Sequence, residues 1–230
     1  MRSMIRSLSV SGLLLAAAAS ACAQELTASQ VAKQLQENFG MQTAYSVDMV
    51  TQTGKTNVNS RMVCKDGKCR TEMNNFMFNR QMVTLQIDEG TRMRFYHVFP
   101  DQKKFTVEEM PEARQVATMP QVEELGTETF EGVACIKRRI TDVRDNYRNE
   151  TTTLFSPEQK NMPVQSTTVV TQSFPAGSPA REIRNVIVYR NYDFSTPEDD
   201  LFTVPADYVK AASLKECMPE SFQHPTASSR

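Results

Sequence analysis

The residues able to do acid–base, metal or thiol chemistry are few, and their spacing argues against catalysis. Only two histidines, His97 and His224, occur in 230 residues. A general base needs a nucleophile and an orienting carboxylate within reach, and no Gly-x-Ser-x-Gly or His-Glu-x-x-His stretch supplies them. His97 falls in a strand-like run and reads as a semi-buried, hydrogen-bonded side chain. Glu108-Glu109, Glu123-Glu124 and Asp199-Asp200 are adjacent pairs. Neighbours on a strand face opposite sides, so these are solvated charges rather than an acid and its base. The expectation is a non-enzymatic protein with no metal and no cofactor. Thirteen methionines and no tryptophan are present, and Met62, Met73, Met82, Met93 and Met110 lie in strand-like runs. Unbranched, polarizable thioethers suit either an ordinary core or a deformable cavity that accepts chains of differing shape. A copper site would need Met and His grouped at short spacing, which the sequence does not offer.

Thiol chemistry depends on compartment. Arg2 and Arg6 lead into the apolar run Leu8 to Ala21, which closes on Ser20-Ala-Cys-Ala-Gln24. This is an export signal, too short for a membrane span of about 20 apolar residues. Its end reads two ways. Ala19-x-Ala21 and Ala21-x-Ala23 suit ordinary cleavage of a signal peptide over 1–23, while Ala19-Ser-Ala-Cys22 resembles a bacterial lipobox that would leave Cys22 acylated, the one route to the membrane. The expected location is the periplasm or outer membrane of a bacterial envelope. Cys64, Cys69, Cys135 and Cys217 are then an even set in an oxidising compartment, which favours disulfides. Asp66-Gly67 is a two-residue type I′ hairpin signal. It sets Lys65 opposite Lys68 and Cys64 opposite Cys69, close enough to bridge. Cys135–Cys217 follows by subtraction and would tie the C-terminal segment onto the sheet.

The elements that must position these residues are mostly strands. Thr27-Ala-Ser-Gln30 opens a helical pattern with Val31, Leu35 and Phe39 near one face, predicting a helix over 27–39. The period then shifts to two. Strands are expected near 43–52, 57–65, 69–74, 80–88, 91–99, 103–110, 133–142, 147–155, 163–172 and 182–192. Residues 25–217 read as one β domain, with breaks at Pro111 to Pro120 and Pro175 to Pro179, and 218–230 as a disordered tail. Lys+Arg 26 against Asp+Glu 27 leaves no nucleic-acid footprint. Lys103-Lys104 and Lys137-Arg138-Arg139 read as water-facing, or as contacts to anionic headgroups. Alternation groups Val83, Leu85, Met93, Phe95, Phe105 and Val107 on one apolar face of consecutive strands, the expected lining of any cavity.

Gly126-Thr-Glu-Thr-Phe-Glu-Gly-Val-Ala-Cys-Ile-Lys-Arg138 adds a further pattern. With Asp66-Gly-Lys-Cys-Arg-Thr-Glu-Met73, Tyr96-His-Val-Phe-Pro-Asp-Gln-Lys-Lys-Phe105 and Leu201-Phe-Thr-Val-Pro-Ala-Asp-Tyr208, taken in that order, it resembles a family of uncharacterised exported bacterial proteins. That family is similar to the periplasmic lipoprotein carriers of the LolA and LolB type. The resemblance spans about residues 40 to 210. It implies an α+β, mostly antiparallel fold, an incomplete half-barrel with the N-terminal helix on or in its concave face, and a lipid or acyl chain held there. The alternative is an envelope structural or interaction module whose barrel is filled by its own side chains and whose partners are other envelope proteins.

Overall fold

The computed structural model describes residues 26–75, 80–90, 92–111, 116–117, 119–144, 147–172 and 180–217. The leader with Cys22, His224, Pro175 to Pro179 and the tail from 218 lie outside these residues.

After a two-residue strand, β1 (Leu26–Thr27), helix α1 spans Ala28–Asn38. It ends where Gly40 takes φ +65° and the Met41 amide donates to the Gln36 carbonyl, the left-handed stop that glycine permits. Six strands follow: β2 (Tyr45–Thr53), β3 (Thr56–Lys65), β4 (Lys68–Asn75), β5 (Arg80–Asp88), β6 (Arg92–Phe99) and β7 (Lys104–Pro111). A short β8 (Val116–Ala117) precedes β9 (Gln121–Phe130), β10 (Val133–Arg144), β11 (Tyr147–Ser156), β12 (Met162–Gln172), β13 (Arg181–Asp193) and the two-residue β14 (Val209–Lys210). All expected strands are present within a few residues of their predicted bounds. The prediction lacks β9, whose Gln121-Val-Glu-Glu-Leu-Gly-Thr-Glu-Thr-Phe130 run does not alternate and is mostly exposed. It is an edge strand blunted by glutamates, with a bulge opposite Ile136 to Arg138.

Twelve strands form one sheet in the order β14-β7-β6-β5-β4-β3-β2-β13-β12-β11-β10-β9, with β1 and β8 pairing separately. Among the described residues the only parallel contact is β14 on β7. Within this sheet, β7 and the next strand in sequence, β9, lie ten strand positions apart, which a flat sheet would separate by about 48 Å. Ten residue steps join Pro111 to Gln121 and reach at most about 36 Å. The sheet must therefore curl. It curls toward the side bearing α1, because β8 in that connection pairs with β1 immediately before the helix. On that side Phe39, just past α1, packs edge-on against Phe155 (centroids 5.1 Å apart), with the Arg138 guanidinium 4.7 Å over its ring. Among the described residues the result is an open, mostly antiparallel sheet with α1 as the single α-helix, on its hollow face, the architecture the resemblance implied.

The outer face is closed differently. Val83, Leu85 and Val98 are buried and packed by Tyr96, Phe105, Val204 and Tyr208. The chain beyond β13 thus straps the convex side. Lys65 donates to the Pro197 carbonyl and to Asp199, Arg70 to the Leu201 carbonyl, and Lys103 to Asp207. Those lysines hold the Asp199 and Asp207 carboxyls below the usual range.

The Cys64–Cys69 bridge forms across β3 and β4 in the expected register, with Asp66 at φ 49° and Gly67 at φ 77°. The second bridge does not form: Cys135 and Cys217 are both free and buried. Cys135 sits on β10, near one edge of the sheet, while Cys217 packs with Phe99 of β6 and Ala211 near the other. Subtraction counted thiols without the strand order that separates them.

Candidate functional site

Hairpin register decides which side chains share the hollow. Tyr45 faces Cys64, Ser60 faces Met73, Met73 faces Met82, Val83 faces Val98 and Met93 faces Met110. Residues directly opposite share a face. One face therefore carries Met49, Met62, Met73, Met82, Met93 and Met110 together, along with Phe95, His97 and Phe99. It is the α1 side: Tyr45, Val47 and Cys64 on it pack with Met41 and Met162 just beyond the helix and at the start of β12.

The expected lining is corrected by this register. Asp88 pairs with Met93, so residues of like parity on β5 and β6 point to opposite faces. Met93 and Phe95 lie on the hollow face, whereas Val83, Leu85, Phe105 and Val107 lie on the outer face. Three of those four are sealed under Val204 and Tyr208. Alternation shows that two faces exist, and only the length of each turn shows how they match across strands.

Across the strands, one row reads Tyr189, Met49, Ser60, Met73 and Met82, from β13 to β5, and it continues to Phe99 of β6, against whose cluster Met82 packs. Five strand spacings give it a length of about 24 Å. Tyr189 and the three methionines are half-buried, and Phe99 closes the far end at 3 % exposure. At the near end the phenols of Tyr45, Tyr189 and Tyr192 gather. Burial pushes Tyr45 up to about 12 and raises the other two above the usual tyrosine value. These hydroxyls stay neutral, and Tyr192 donates to the Pro163 carbonyl at 2.8 Å. The row thus offers flexible apolar contact framed by uncharged hydroxyls.

At the β7 edge, where the chain passes from the outer face toward Phe99, a cavity of about 500 Å³ is lined by His97, Thr106, Val107, Glu108, Lys210 and Leu214 among others. His97 Nε2 lies 3.9 Å from Glu108 Oε2, beyond hydrogen-bonding distance. No hydroxyl or thiol nucleophile is held by the imidazole in a hydrogen bond among the described residues. The Met row was partly legible, since two of its methionines, Met73 and Met82, and three that share its face, Met62, Met93 and Met110, stand out in strand-like runs. Their convergence was not, although the turn lengths carry that signal.

No family model and no curated protein matches this sequence. Solved structures do resemble the fold distantly. An uncharacterized conserved protein from Thermus thermophilus shares 8% identity at a TM-score of 0.49, over 79% of this chain and 96% of its own. The lipoprotein LppX from Mycobacterium tuberculosis shares 9% identity at 0.37, over 73% and 96%. A domain described as an outer membrane lipoprotein-sorting protein, from Vibrio parahaemolyticus, shares 11% at 0.36, over 75% and 95%. At these scores the likeness carries no inference about ligand or partner.

Proposed function

We propose that this is a non-enzymatic protein of the bacterial envelope that holds a lipid or another elongated apolar molecule on its hollow face, lying across the strands. The observation that carries the reading is the row Tyr189, Met49, Met73, Met82 and Phe99. Apart from Ser60, which lies between Met49 and Met73, its members are largely apolar, and their half-buried or buried side chains run together along the hollow face. Thioether side chains accommodate ligands of differing shape, and apolar burial supplies about 25 cal/mol per Å². Export by the N-terminal leader, with or without acylation at Cys22, belongs to the same proposal.

A second reading, an interaction module with a filled hollow, draws support from Phe39 and Arg138 occupying the β10–β11 end. One experiment separates the two. The chain is expressed with its own leader in a bacterial envelope, and the purified product is weighed under native and then denaturing conditions. A non-covalent mass recovered as lipid, and diminished in a folded Met73→Gln/Met82→Gln variant, supports the carrier. A bare mature mass supports the module, and a covalent acyl mass on Cys22 identifies the anchor.

A further inference from the structure

The outer face of β10 to β13 carries a second cleft, about 410 Å³ in volume and separate from the hollow. Its floor is one cross-strand row, Arg139 opposite Thr152 and Thr152 opposite Thr167. Arg184, opposite Val169 on the next strand, closes the far side. Two guanidinium groups thus stand on either side of two hydroxyls. Lys137 also reaches the cleft, but Glu128 already accepts its hydrogen bond at 2.7 Å.

The two arginines are poorly satisfied. The Arg139 Nε atom is buried and has no hydrogen-bond partner. Its nearest carboxylates, Glu123 and Glu150, stand 3.9 Å away, and Glu150 is engaged by Arg148 at 2.9 Å. Arg184 forms no ion pair among the described residues. A buried donor left without a partner is costly, so the fold keeps Arg139 in a state that a bound anion would relieve. Three cations against two carboxylates, Glu128 and Glu150, leave the lining net positive.

We propose that this cleft binds an organic phosphate, its phosphoryl group held between Arg139 and Arg184 over Thr152 and Thr167. Guanidinium forks match phosphate oxygens in pairs. A terminal phosphate offers three oxygens and can engage both arginines and a hydroxyl together, where a planar carboxylate offers two. The cleft, at about 410 Å³, is many times the ~30 Å³ share of one water and leaves room beside the phosphoryl group for an attached organic group. Because the cleft lies on the face opposite the Met row, the proposal stands whether or not the hollow carries lipid.

The test uses the mature chain with sn-glycerol 3-phosphate as probe, followed by amide chemical shifts. The expected result is saturable movement of the Thr152 and Thr167 amides, weakened at least tenfold in Arg184→Gln and in Arg184→Lys, which keeps the charge but loses the fork. Arg190→Gln, altering an outer-face residue paired with Glu131, should bind as the parent does. Vesicles of phosphatidylcholine with and without phosphatidic acid then identify the source. Saturation by the soluble probe indicates a free organophosphate. Binding confined to phosphatidic acid vesicles and lost in Arg184→Gln indicates the same group on a lipid. Absence of saturation with both, or binding indifferent to Arg184 in a variant whose spectrum is folded, overturns the proposal.

Discussion

Leu85→Ala separates the two faces of the sheet. Leu85 is 1 % exposed, wedged among Val83, Val98, Tyr96, Phe105 and the strap residues Val204 and Tyr208. Truncating a buried leucine costs about 2–5 kcal/mol, the upper part where the surroundings cannot collapse. This site is walled by two strands and held from above by a strap tied down at several points, so about 3 kcal/mol is expected. For a domain of this size that lowers Tm by about 6–12 °C, with the native state still dominant at 25 °C. Because the side chain points away from the hollow, the folded variant should retain the same co-purifying ligand as the parent. Met73→Gln should do the reverse, costing about 1 kcal/mol while emptying the trough. The assay pairs urea unfolding with native mass spectrometry on the same preparations. Loss of ligand from folded Leu85→Ala, with none from folded Met73→Gln, would refute the assignment of faces.

Three further outcomes follow from the packing. Replacing Cys64 and Cys69 together by serine should cost about 2 kcal/mol, the low end for disulfides because the closed loop is so short; urea midpoints with and without reductant check it. In the absence of reductant, Cys135 and Cys217 should resist a thiol reagent in the native protein, since burial pushes both thiols up. In denaturant both should react, whereas a bridged pair would stay silent in either state. Tyr45, raised from 10.0 to about 12 by burial, keeps its proton in the native state while the unfolded chain loses it. Its contribution is therefore full below pH 10 and is lost between pH 10 and 12, about 3 kcal/mol in all. Tyr45→Phe should flatten that fall in urea midpoints measured from pH 9 to 12, and an unchanged slope would contradict the burial argument.

Local chemistry made much of this architecture readable in advance. Asp66-Gly67 specifies its turn because few residue pairs tolerate two positive φ values, and the turn in turn sets the Cys64–Cys69 register. The Val31, Leu35 and Phe39 spacing writes the helix face in the same way, and alternation marks ten strands because each buries one side. The Gln121–Phe130 strand escaped because an edge needs no apolar alternation and is protected by charge.

The sequence by itself determined ten of the strands, the first helix and the hairpin bridge, since each depends on residues a few positions apart. The tertiary structure alone decided which strand faces meet. A change of one residue in a turn inverts the match, and this is why Met93 and Phe95 part from Val83 and Leu85. It alone placed Cys135 and Cys217 on opposite flanks, through a strand order that no local rule encodes. It also brought Arg139 and Arg184, 45 positions apart in sequence, over one pair of threonines. Such long-range placements arise from the curl imposed by a connection too short to cross a flat sheet, a constraint that appears only once the strand order is known.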